Sequence, residues 1–258
     1  MLKGLYTAHT GLLNEQNRMD IMTNNLANAS TVGFKKEGST SQAFDTVLAY
    51  KLKDISVGLG RAEGIGVNRP GVKIGENYTD YTQGSFRITN NTFDMALSGE
   101  GFFAVEFTNK AGETSTMYTR AGNFTLNSDG YLVTSDGDYV LDVNNKRIQL
   151  DPLHGADIMS DGTISQDGRA IAQIQVADFA DYDYLERYGE TYFRPLEGAE
   201  LIQSSAEVNS GILEMANVQV VSEMVNMISI TRQYESNQKV MQTYDTSLEI
   251  AVNQLGKL

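Results

Sequence analysis

The chain has 258 residues, enough for one large domain or two, and 41% of them are hydrophobic, so most of it folds. It contains no cysteine, which excludes a disulfide framework, a thiolate nucleophile and cysteine-ligated zinc or iron–sulfur clusters. With 20 Lys and Arg against 33 Asp and Glu its net charge is −13, the wrong sign for wrapping nucleic acid or lying on anionic lipid.

At the amino end, His9, Thr10, Asn14 and Glu15 interrupt any apolar run long enough for the core of a cleaved signal peptide. Nowhere do about 18 apolar residues run together, so no membrane insertion is expected. This reads as cytoplasmic unless the chain leaves the cell by a route that needs no cleaved signal. The prolines, Pro70, Pro152 and Pro195, all fall in the middle, which leaves both ends open to long helices. Leu5, Leu12, Met19 and Leu26 recur every seven residues, with Ala8, Met22 and Ala29 at the intervening positions and Glu15 the exception. The stripe runs into Ser30-Thr31-Val32, and Gly33 is placed to end it in the left-handed geometry.

Residues 37–71 are rich in Gly, Ser and Thr and read as an extended connector, with one short helix around Ala43–Leu52. From 72 to 205 the texture changes. Aromatic and β-branched runs at Phe102–Phe107, Met117–Arg120, Tyr131–Thr134 and Ile171–Val176 predict strands. Asp-Gly pairs at 129–130, 136–137, 161–162 and 167–168 suit type I′ hairpin turns, so the region predicts a mostly antiparallel β domain.

The carboxyl-terminal repeat is longer. Val220, Met227, Tyr234, Met241, Leu248 and Leu255 occupy one seam position, and Glu223, Ile230, Asn237, Tyr244, Ala251 and Leu258 the other. A single helix over 218–258 would be roughly 60 Å long at about 1.5 Å per residue, and it needs a partner along its length. Val221, Met224, Val225 and Ile228 widen the stripe beyond one seam, which implies more than one neighbour. Asn237, Gln238 and Glu223 are the polar residues that would set register.

Charge sorts with these regions. Residues 1–36 carry four cations and two carboxylates, residues 215–258 three and four, so the remaining −14 sits on 37–214. That fits a solvent-facing β domain between packed helical ends.

No catalytic constellation emerges. His154, beside Pro152 and Gly155, has no cysteine or HExxH context, and His9 lies on the polar flank of the first helix. The run Gly58-Leu59-Gly60-Arg61-Ala62-Glu63-Gly64 has Glu63 where a dinucleotide fingerprint needs glycine. Asp129, Asp136, Asp138, Asp161 and Asp167 fit turns rather than a calcium loop. No catalytic residue, cofactor or metal is expected, and the chain is read as no enzyme. Two helices whose seams they cannot bury alone, around a β domain, point to a protein that assembles.

Local strings carry a resemblance. Asn24-Asn25-Leu26-Ala27-Asn28, followed by Gly33-Phe34-Lys35, resembles the amino-terminal signature of bacterial flagellar rod and hook proteins. Gly99-Glu100-Gly101-Phe102-Phe103, Tyr118-Thr119-Arg120-Ala121-Gly122-Asn123-Phe124 and the run Glu223–Ile228 with Arg232–Lys239 are similar to their central and carboxyl-terminal elements. The resemblance implies a flagellar basal-body rod protein, of the distal or proximal kind by its length. It implies a subunit exported unfolded through the flagellar type III apparatus, polymerised with itself and with other rod and hook proteins into a hollow helical shaft that transmits torque to the hook. It implies terminal segments that are largely disordered in the free monomer and form an inner coiled-coil layer.

The expected fold is therefore α+β, with long terminal helices forming a coiled-coil layer around a central antiparallel β domain. Its parts are 1–36, 37–71, 72–205 and 206–258. The subunit-packing residues are Leu5, Leu12, Met19, Leu26, Val220, Met227, Ile230, Tyr234, Asn237, Met241, Tyr244, Leu248, Leu255 and Leu258. The competing readings are a hook or other flagellar axial protein, and a non-flagellar β-rich polymer-binding module, which the absence of tryptophan disfavours for a glycan.

Overall fold

The computed structural model describes residues 2–45, 47–52, 62–68, 71–110 and 112–255. It has a helix near each end, α1 (Leu2–Ala27) and α2 (Val220–Leu255), and a central region of antiparallel strands, which makes it α+β. By internal contact the chain divides into two units. One contains residues 1–26, 37–80 and 219–258, the other residues 27–36 and 81–218.

In the first unit α1 and α2 run antiparallel. A Cβ added at Gly4 would lie 2.6 Å from Tyr244 Cζ, and one at Gly11 would lie 2.9 Å from Asn237 Nδ2. Two glycines one heptad apart on α1 thus admit two large side chains one heptad apart on α2. The helix α1 ends at Ala27, earlier than Gly33, where the sequence stripe ends. The backbone oxygen of Asn28 accepts from Thr31 N at 3.1 Å and its side-chain oxygen from Thr31 Oγ1 at 3.2 Å, so a local turn outcompetes the next helical turn.

The short helix expected around Ala43–Leu52 is not formed. Strand Val47–Leu52 pairs antiparallel with Ala62–Asn68 instead, as suits the β-branched and aromatic Val47 and Tyr50. Strand Lys36–Ala43 pairs with Val72–Asp80. Residues 53–61, with most of the glycine run 58–64, lie outside the described residues, as does Leu258.

The second unit is built on a nine-stranded sheet. Its order runs Leu185–Tyr188, Tyr192–Pro195, Thr114–Thr119, Phe102–Thr108, Tyr139–Val140, Leu132–Val133 and Thr125–Leu126. Strand Val176–Phe179 also pairs with Phe102–Thr108, and with Leu201–Gln203 on its other side. The sequence run at 102–105 is apolar without alternation because it is covered on both faces. Phe103 and Val105 enter a core with Met95, Leu97, Phe124, Leu132, Ile164, Ile174 and Val208. Phe102 and Ala104 enter a second one with Tyr118, Phe179 and Phe193.

Two strand expectations are refined. The run Ile171–Val176 is divided between a small three-stranded sheet, through Arg169–Gln173, and the large one, through Val176–Phe179. Of the four Asp-Gly pairs only Asp167-Gly168 has both residues at positive φ, 51° and 75°, as a type I′ turn requires. In the other three only the glycine is left-handed. Residues 206–219, grouped by the sequence reading with the carboxyl-terminal helix, contain two strands, Glu207–Ser210 paired with Met95–Ser98 and Ile212–Glu214 paired with Phe86–Ile88. Val208 and Leu213 are buried there, and each strand is held by its antiparallel partner.

Candidate functional site: a buried charge clamp

The amino-terminal motif leads into a cluster of buried charge. Lys35 and Glu214 have side chains only 1% exposed, and Lys35 Nζ lies 2.7 Å from Glu214 Oε1. The same ammonium donates to the Thr82 carbonyl at 2.8 Å. Glu214 Oε1 also accepts from Gly84 N at 2.9 Å, and Glu214 Oε2 faces Arg120 Nη1 at 3.4 Å. Two cations therefore share one carboxylate away from water, an arrangement that holds only while every partner is in place. Arg120 also lies over the Phe102 ring, 5.3 Å from its centroid, while its Nε has no hydrogen-bond partner.

The backbone around the clamp is equally specified. Gly33, at φ 70°, donates its N–H to the Glu214 carbonyl at 2.8 Å, and Val32 bridges Met215. A Cβ at Gly33 would stand 2.6 Å from Ala121 Cα, so glycine is required by both conformation and space. Phe34 is buried under the Arg187 guanidinium, 4.3 Å from the ring centroid, and Arg187 Nη1 donates to the Lys35 carbonyl at 3.0 Å. Lys36 N donates to Asn217 Oδ1 at 2.7 Å, and the Asn217 amide donates to Thr82. The motif residues Gly33 and Lys35 thus meet Glu214, which no motif contained, and through it Arg120, from the Tyr118–Phe124 motif.

The motif's first residues, Asn24 to Leu26, belong to the other unit. Asn25 is fully buried, donates to the Glu37 carbonyl at 2.8 Å and accepts from Glu37 N at 2.9 Å, pairing with backbone as a neighbouring strand would. Asn28 is buried and Leu26 half-buried, whereas Asn24 and Ala27 are exposed.

Along α2 the less exposed positions are Glu223, Met227, Ile230, Thr231, Tyr234, Asn237, Met241, Tyr244, Leu248 and Ala251, all but Thr231 at the seam spacing. Val220 is exposed, and Val221, Met224, Val225 and Ile228 are exposed beside the seam. The side chain of Leu255 lies outside the described residues. On α1, Leu5, Leu12, Met19 and Leu26 are half-buried, while Ala8, Asn14, Glu15, Ile21 and Asn25 lie deeper. Glu15, the exception in the stripe, is inside and takes Arg18 as its partner at 3.0 Å. It helps line a 480 Å³ polar cavity with Asn14, Ser41, Gln233, Ser236 and Asn237. The heptad analysis passed over Gly4 and Gly11, although small residues one heptad apart are the sequence feature that accompanies this close helix pair.

A 590 Å³ cavity in the β unit is lined by Phe107, Tyr188 and Tyr192 with Asp136 and Asp138. Tyr192 Oη donates to Asp138 Oδ2 at 2.8 Å. Burial pushes the Tyr192 hydroxyl far above the ordinary tyrosine range, and burial likewise raises the Asp138 carboxyl. His154 sits half exposed between Asp151 and Asp167, at 3.1 and 3.4 Å. Among the described residues no group of three or more His, Asp or Glu is placed to hold a metal, and no helix is long and apolar enough to cross a membrane.

Three family models match in chain order: "Flagella basal body rod protein" over residues 5–35, "Flagellar hook protein FlgE/F/G D1 domain" over 96–172 and "Flagellar basal body rod FlgEFG protein C-terminal" over 209–255. The chain is 32% identical to the flagellar basal-body rod protein FlgG of Bacillus subtilis, over 98% of this chain and 99% of that one. The chain belongs to the flagellar basal-body rod protein family. It is also 33% identical to the rod protein FlgF of Caulobacter vibrioides over the full length of both. Identity to the flagellar hook-basal body complex protein FlhO of Bacillus subtilis is 31%, again over the full length of both. This rod-family chain is a structural subunit of the flagellar basal body. The first and third matched segments carry the two halves of the clamp, Lys35 at the end of one and Glu214 near the start of the other.

Proposed function

We propose that the chain polymerises with itself, and with other flagellar axial proteins, into a hollow rod, its helices α1 and α2 forming an inner coiled-coil layer. The helices α1 and α2 are the two halves of that layer, residues 37–71 the connector and 72–205, joined by the strands of 207–214, the β domain. The packing residues are those of the two heptad stripes. Leu258 and the side chain of Leu255, though outside the described residues, continue the α2 spacing.

The observation that carries this reading is on α2. Its seam is shielded at every third or fourth residue from Glu223 to Ala251, yet Val221, Met224, Val225 and Ile228 stay exposed, with Val221 at 77%. A helix with one partner covers one seam, and a contiguous exposed apolar stripe beside it is a surface for further subunits. The shaft carries torque to the hook by stiffness and performs no catalysis. Export through the flagellar apparatus delivers subunits whose helical ends become ordered on assembly.

Electron microscopy of concentrated purified protein, with sedimentation across a concentration series, tests the reading. Tubes or fibres that form above a threshold concentration are expected. Monomer at all concentrations, with and without a rod-family nucleating partner, would reject it.

A further inference from the structure

The β unit is completed by the part of it that is synthesised last. Residues 212–215 lie between two earlier segments. On one side Gly33 N–H bonds the Glu214 carbonyl and Val32 bridges Met215. On the other, Ile212–Glu214 pairs with Phe86–Ile88, and Met215 N donates to the Ser85 carbonyl at 2.9 Å. Gly84 leaves room for this approach, because a Cβ there would overlap the Met215 carbonyl. Just upstream, strand Glu207–Ser210 pairs with Met95–Ser98 and places Val208 in the main core against residues of the large sheet.

Without this segment the earlier residues are badly placed. Lys35 and Arg120 would be brought together with no carboxylate between them, and two buried, uncompensated cations strongly oppose folding. Met95 and Leu97 would lose their strand neighbour. All these pairings span most of the unit, so loop closure must come before any of them returns stability.

We infer that residues 207–215 are a keystone: the β unit does not close until this segment enters, and Glu214 is the charge that permits closure. Synthesis and threading both present the amino terminus first. The unit therefore stays open until the chain has emerged at least as far as Met215, five residues before α2 begins at Val220. Completion of the β unit then coincides with delivery of the second helix, and no amino-terminal portion folds ahead of it. The value of this delay for an exported subunit rests on the export reading above, whereas the folding order does not.

The test is refolding of the dilute full-length chain from urea with pulsed hydrogen exchange, a measurement that involves neither polymer nor secretion and so stands or fails apart from that reading. The amides of Ala104, Leu132 and Leu141 in the sheet should gain protection in the same phase as those of Gly33 and Gly84, which bond Glu214. Protection of the sheet amides in an earlier phase would overturn the keystone. Glu214→Gln keeps the shape and removes the charge, and it should slow that phase roughly tenfold or more. If this variant does not reach the native state, Val208→Ala, in the same segment but outside the ion cluster, should slow the same phase. An unchanged refolding rate with only faster unfolding marks a merely structural role and rejects the proposal.

Discussion

Lys35 Nζ and Glu214 Oε1 stand 2.7 Å apart across a sequence separation of 179 positions, and both side chains are almost wholly removed from water. That pair, with Arg120, ties the amino-terminal motif of a rod-family chain to the strand that precedes its last helix.

The clamp is unequal, and its variants should rank accordingly. Glu214→Gln leaves two buried cations unbalanced and should cost about 3–5 kcal/mol. Lys35→Met leaves Arg120 facing Glu214 and should cost less, about 1–3 kcal/mol. Urea midpoints of the soluble protein give the order, and a larger loss for Lys35→Met would contradict the charge count.

Gly33→Ala combines a left-handed backbone with a direct overlap on the 120–121 peptide. The conformational part alone costs about 1 kcal/mol, and the overlap adds to it. Thermal melting should fall by several degrees, whereas Gly112→Ala, equally left-handed but with open space around its Cβ, should show only the conformational part.

The glycines of α1 test the helix pair. Gly4→Leu and Gly11→Leu place bulk where Tyr244 and Asn237 lie, so α1 and α2 must separate. Polymerisation, followed by light scattering, should be lost while the melting of the β unit stays within about 1 °C, because ΔΔG there is close to zero. A β unit that melts much earlier would mean the two glycines serve folding of the whole chain.

Asn237→Leu removes a half-buried amide from the α2 seam at the polar cavity. Helix association should strengthen by about 1 kcal/mol or more, and register should loosen, because slipped pairings no longer strand a polar group. Electron micrographs should show more irregular aggregates, and regular tubes in normal yield would place Asn237 outside the register-setting contacts.

Alkaline pH should weaken the β unit through Tyr192. Its folded value is raised above the ordinary 10.0 by burial, so the native state keeps a proton that the unfolded chain releases first. The contribution is full below about pH 10 and drains as pH rises beyond it. One pH unit above that point the loss is at most about 1 kcal/mol once solvent screening is allowed for. Urea midpoints at pH 9 and 11 should differ less in Tyr192→Phe than in the parent chain.

Much of this architecture is written in local pattern. Helices at both ends follow from heptad stripes free of proline, and strand Phe102–Thr108 follows from its aromatic and β-branched run, because each pattern records what its segment must bury, one stripe for the helices and both faces for the strand. The spacing of the shielded α2 residues was legible for the same reason. Gly33 was legible as a left-handed residue, though not as one placed in a loop against Ala121. Glu214 was not, since a single glutamate in Gly-Ile-Leu-Glu-Met carries no periodicity and its partners lie far away in sequence.

The sequence alone therefore determined the α+β class, the long helices near both ends, the acidic middle and the family. Only the tertiary structure decided that residues 207–214 are strands, that Glu15 turns inward, that Gly4 and Gly11 receive Tyr244 and Asn237, and that Lys35, Arg120 and Glu214 share one buried site. The division has a physical cause. Periodicity records what a segment must bury, whereas the partner of a buried charge, or the room beside a glycine, is set by which distant backbones the fold brings together.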